Sequence, residues 1–98
     1  MNPGVYCMNI YVGNLPTGIT NDEVRKVFIA FGQVRSICIM QSTHAIRGQF
    51  KQYCFVEMAS VIEGEEAVNS LNGKKLWGSD IDVITALPLS NKKAIYSL

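Results

Sequence analysis

The 98-residue sequence has almost no net charge: nine lysines and arginines against eight aspartates and glutamates leave +1. Electrostatic capture of phosphates normally leaves a basic signature, so total charge alone announces no nucleic-acid partner. Cysteine is sparse. Cys7, Cys38 and Cys54 form an odd set without CxxC spacing, which argues against a disulfide framework and a zinc site and predicts reduced, mostly structural thiols. No apolar run approaches the roughly 18 residues of a membrane helix, and the opening MNPGVYCMN lacks the basic segment and following apolar run of a secretory signal. The protein is expected to be intracellular, nuclear or cytoplasmic alike, with no membrane partner. Catalytic groupings are missing too. The lone His44 has no ligand or nucleophile partner spaced near it, and no paired carboxylates, Ser/His/Asp set or Cys/His pair stands out. GNLPTG matches neither glycine-rich phosphate-binding pattern, and Asn14 has no nearby arginine with which to build a small phosphatase. Neither enzyme, metal nor cofactor is expected.

What is present suffices for one compact domain: 48% of the residues are apolar, enough for one core and too little chain for two. MNIYVG, residues 8 to 13, alternates Met8, Ile10 and Val12 with Asn9, Tyr11 and Gly13 and predicts a strand. Thr20, with Glu23 three places on, predicts a capping box. The apolar residues Val24, Val27, Phe28 and Phe31 then predict an amphipathic helix running to a stop at Gly32. VRSICIMQ, residues 34 to 41, is a second strand with Ile37 and Ile39 on one face and Ser36, Cys38 and Met40 on the other. Polar STHAIRGQF predicts a loop with a turn at Gly48, and KQYCFVEM, residues 51 to 58, is the third strand. Ser60 and Glu63 form a second capping box before Ala67, Val68 and Leu71, with a stop at Asn72 and Gly73. Gly64 inside this helix, at a cost of about 1 kcal/mol against alanine, predicts a close approach to the sheet. KKLWGSDIDVITA completes the chain's elements with a short hairpin-like piece and a fourth strand, Ile81 and Val83 inward and Asp82 and Ile84 outward.

The order β-α-β-β-α-β, without internal repeats or low-complexity tracts, is the ferredoxin-like α+β arrangement, with two helices on one face of a four-stranded antiparallel sheet and strands one and three central. The helix-covered side takes Ile10, Val12, Ile37, Ile39, Cys54, Val56, Ile81 and Val83. Two helices cannot cover both faces. Tyr11, Tyr53 and Phe55 are therefore expected bare, coplanar and side by side on the open one. Leaving three rings in water forgoes about 1.5 to 3 kcal/mol each of burial, which points to an occupant. Five of the eight acids (Asp22, Glu23, Glu63, Glu65, Glu66) but only Arg25 and Lys26 of the nine bases fall in the helical segments, so a basic sheet side is also expected.

From about Met8 to Ala86 the chain resembles the RNA recognition motif (RRM) family. KQYCFVEM fits the family octamer K/R-G-F/Y-G/A-F-V-x-F/Y at Lys51, Tyr53, Phe55 and Val56, and IYVGNL is similar to the companion RNP hexamer. FIAFG, NSLNG and LWGSDIDV are further family-like stretches. Gln52, Cys54 and Met58 depart from the octamer, but all lie on the helix side in this alternation. Ser79 and Asp80 stand where members often carry an arginine and another polar residue, which lowers the phosphate affinity expected. The resemblance implies a single-stranded RNA-binding module in which Tyr11 and Phe55 each stack on a base, Tyr53 lies against sugars and Lys51 pairs with a phosphate. Asn9 shares their face and either hydrogen-bonds a base edge or is simply solvated. Met40, Arg47, Lys75 and Ile84 are secondary candidates, with strand propensity and solubility as their bland readings. Trp77 is expected to pack against strand four.

Single-stranded DNA is a second nucleic-acid candidate. The alternative function is a protein-interaction module of the same fold, motivated by the weak charge and by Glu57 and Asp82 on the working face. In it a partner protein, or Leu87, Leu89, Ile95, Tyr96 and Leu98 of the protein's own end, covers the rings. Residues 1–7 are expected to be a leader or flexible end, 8–87 the domain and 88–98 a tail.

Overall fold

The computed structural model describes residues 7–46 and 49–86; the expected leader up to residue 6, Arg47 and the tail lie outside them. The elements in chain order are β1 (Met8–Leu15), α1 (Asn21–Phe28), β2 (Val34–Ile46), β3 (Gln49–Met58), α2 (Val61–Leu71), β4 (Lys75–Leu76), β5 (Ser79–Asp80) and β6 (Asp82–Ala86). The main sheet has the order β2-β3-β1-β6, all pairs antiparallel, while β4 and β5 form a separate two-stranded ribbon. This is the ferredoxin-like arrangement, with β1 and β3 in the centre.

Alternation sorts the sheet into two faces. Ile10, Val12, Cys54, Val56, Met58, Ile81 and Val83 are buried beneath the helices, together with Val24 and Phe28 of α1 and Ala67 and Leu71 of α2. Ile37, Ile39, Val68 and Trp77 pack partly buried against them. Burying each large apolar side chain contributes about 1.5 to 3 kcal/mol. Gly64 sits where α2 meets β1: a Cβ there would lie 2.5 Å from Met8 Sδ, so the close approach expected of this glycine is real.

The capping box of α1 is complete. Thr20 Oγ1 accepts from the Glu23 amide at 3.2 Å, and Glu23 Oε1 accepts from the Thr20 amide at 3.0 Å. That of α2 is half formed: Ser60 Oγ accepts from the Glu63 amide, but the Glu63 carboxylate lies over Gly32 instead of returning to the cap. Helix α1 also ends earlier than its apolar spacing predicts, at Phe28 with Ile29 as the C-cap. Phe31 still reaches the core because a turn follows, in which its amide donates to the Phe28 carbonyl.

The loop expected over residues 42 to 50 is instead largely strand, with Ala45 opposite Phe50 and Ile46 opposite Gln49. The β1 ladder stops at Leu15↔Gln52, so beyond it, among the described residues, β2 and β3 pair only with each other. Such a ribbon satisfies its backbone by cross-strand hydrogen bonds and needs no alternating apolar face.

Candidate nucleic-acid interface

On the face away from the helices, cross-strand pairing builds rows. Tyr11 lies opposite Phe55 on one side and Ile84 on the other, and Phe55 lies opposite Cys38. Ile84, Tyr11, Phe55 and Cys38 thus cross all four strands in one line. One step toward the β2–β3 hairpin, Asp82 opposes Gly13 and Tyr53 opposes Met40. One step the other way lie Ala86, Asn9, Glu57 and Ser36, with Ser36 Oγ donating to Glu57 Oε1 at 3.2 Å.

The three rings meet in the middle. Their centroids are 5.9 Å (Tyr11–Tyr53), 5.8 Å (Tyr11–Phe55) and 6.1 Å (Tyr53–Phe55) apart, inside the usual range for aromatic pairs. They are not coplanar as expected. Tyr11 and Tyr53 are inclined by 36°, and Phe55 stands edge-on to both at 61° and 86°. Edge-to-face packing suits the ring quadrupoles better than a flat row, and it leaves all three rings half-buried rather than bare.

Gly13 sets the pose of Tyr11. A Cβ at Gly13 would lie 2.6 Å from the Tyr11 hydroxyl oxygen and 2.8 to 2.9 Å from its ring carbons, so the ring leans along its own strand over the glycine backbone. Burial, then the neighbouring Asp82 carboxylate, then Tyr53 push the Tyr11 phenol above its ordinary value. It stays protonated at neutral pH, a donor as well as a stacking surface. Among the described residues the expected basic character of this face is not found: Lys51 shares it with Glu57 and Asp82.

The structure brings Asn9, Tyr11, Lys51, Tyr53 and Phe55 onto one side, flanked by Met40 at 41% exposure and Ile84 at 52%. Lys75 is elsewhere, on the β4–β5 ribbon, in an exposed ion pair with Asp80 at 3.4 Å. Two residues matter more than the sequence indicated. Gln52 turns its side chain to the β1–α1 loop, where Oε1 accepts from the Gly18 and Ile19 amides at 2.8 and 3.1 Å. Asn14, at φ 62°, donates from its amide to the Asp80 carbonyl at 2.8 Å and ties the end of β1 to the ribbon. The pair Gly13-Asn14 was a readable signal for left-handed backbone within β1, where the register with β3 shifts; no local signal marked Gln52.

The RNA recognition motif model matches residues 10–82, from within β1 to the first residue of β6. The chain belongs to the RNA recognition motif family. Among the relatives of this RRM, the protein RbpF of Nostoc sp. is 33% identical over 85 residues, covering 87% of this chain and 79% of its own. Of solved structures, RNA Binding Protein PG1 superposes with a TM-score of 0.72 at 27% identity, covering 83% of this chain and 95% of that one. The Sex-lethal RNA recognition domains 1 and 2 of Drosophila melanogaster give 0.69 at 29% identity, covering 85% and 52%. The family is one of binding domains rather than enzymes. Among the described residues no cluster of metal-ligating side chains occurs, and no helix is long and apolar enough to cross a membrane.

Proposed function

We propose that this RRM binds single-stranded RNA on its open sheet face. The observation that carries the reading is the cluster of Tyr11, Tyr53 and Phe55, in mutual contact on the two central strands and facing away from the core. Unpaired bases present flat π faces, and a base stacked on an aromatic side chain contributes about 1 to 3 kcal/mol without demanding a particular base. In this reading Tyr11 and Phe55 each carry a base, Tyr53 lies against the sugars between them, and Lys51 meets a phosphate. Asn9 hydrogen-bonds a base edge from the next row. Met40 and Ile84 widen the apolar floor on either side. Family membership and the likeness to PG1 and the Sex-lethal domains support the assignment.

The test is replacement of Tyr11 and Phe55 by alanine, singly and together, with affinity for a pool of short RNAs measured by fluorescence polarisation. Each single change is expected to weaken binding by about 1 to 3 kcal/mol in a protein that remains folded, since neither ring lies in the core. Unchanged affinity in the folded double variant would refute the reading.

A further inference from the structure

We infer that Asp82 selects the base stacked on Tyr11, favouring guanine and rejecting uracil; the inference rests on the sheet-face reading above. Asp82 is the cross-strand partner of Gly13, and Gly13 is the residue over which the Tyr11 ring lies. The ring is therefore bracketed, with Tyr53 on the β3 side at 5.9 Å and the Asp82 carboxylate on the β6 side. A base resting on Tyr11 with its Watson–Crick edge toward β6 meets the Asp82 carboxylate. The same proximity is felt by the phenol, which Asp82 holds more firmly protonated.

The neighbouring acids are engaged: Glu57 accepts from Ser36, and Asp80 is paired with Lys75. The Asp82 side chain is exposed and takes no hydrogen bond or ion pair among the described residues. A carboxylate accepts and never donates. Guanine offers two adjacent donors on its Watson–Crick edge, N1–H and the N2 amino group, which match the two carboxylate oxygens. Adenine and cytosine each offer one amino group beside a ring-nitrogen lone pair. Uracil offers one N3–H between two carbonyl oxygens, and these repel the carboxylate. The order expected over Tyr11 is guanine first, adenine and cytosine next, uracil last.

The experiment compares U7 with heptamers carrying one central G, A or C, titrated by fluorescence polarisation into wild type, Asp82→Asn and Tyr11→Ala. Wild type is expected to bind the G heptamer at least about fivefold tighter than U7, the lower bound for a bidentate side chain–base pair. Asp82→Asn should bring that ratio near unity while holding U7 affinity or raising it, because a negative charge leaves the RNA site. A merely structural role for Asp82 would weaken all heptamers alike. Wild-type binding without a guanine preference, or a preference that survives in Asp82→Asn, would overturn the assignment of Asp82 and leave the stacking platform standing. Binding to no heptamer, or affinities untouched by Tyr11→Ala, would instead refute the platform itself, and this inference with it.

Discussion

At the scale of single residues, the site depends on an atom that is missing. Gly13 lacks the Cβ that would strike the Tyr11 ring, so Gly13→Ala must displace the ring while supplying a residue better suited to a strand by about 0.5 to 1 kcal/mol. RNA affinity is expected to fall by about 1 kcal/mol or more, as for partial loss of a stack, with little change in Tm; polarisation and thermal melts read the two effects separately. Cys54 behaves oppositely, as a buried group on the helix side. Burial, and then Cys38, push its thiol from 9.0 up to about 12. Because the folded value is the higher one, the associated stability is whole below pH 9 and is lost as the pH rises toward 12. The raised Tyr11 phenol works in the same direction. Urea unfolding across that range should show an alkaline decline that is shallower in Cys54→Ala. In the native state iodoacetamide should alkylate the exposed Cys38 and spare Cys54.

At the scale of elements, what was legible in the sequence was whatever is written in local spacing. The two-residue alternation of IYV and YCFV fixed both faces of the sheet, and Thr20 with Glu23 marked the start of α1. What escaped depends on groups far apart in the chain. Gln52 looked like a packing departure from a glycine, but its role is to hold two loop amides 34 and 33 residues away. Gln52→Gly should lower stability by about 1 to 3 kcal/mol through the lost hydrogen bonds, and hydrogen exchange at Gly18 and Ile19 should accelerate. The stretch after Gln41 escaped for another reason: its sequence lacks the two-residue apolar alternation that marks a strand packed on a core. The end of α1 was overrun because Phe31 packs into the core from a turn, and a packed turn extends the apolar periodicity beyond the helix.

At the scale of the whole molecule, the charge pattern sets how the protein meets RNA. The acids of α1 and α2 sit on the layer behind the sheet, and the open face carries Lys51 beside Glu57 and Asp82. With so few phosphate contacts, the dependence of log affinity on log salt should be shallow, with a slope of about −1, given about −0.7 per neutralised phosphate for single strands. A steep slope would mean that lysines and arginines outside the sheet face dominate. The composition alone could not have located this surface, because a net charge of +1 carries no position. The most direct test of the central claim is an amide-shift titration of the isotope-labelled protein with short random RNA. The account predicts that the largest changes fall on Asn9, Tyr11, Tyr53, Phe55, Cys38 and Ile84, in the rows that cross the open face. Changes confined to α1 and α2, or none at saturating RNA, would contradict it.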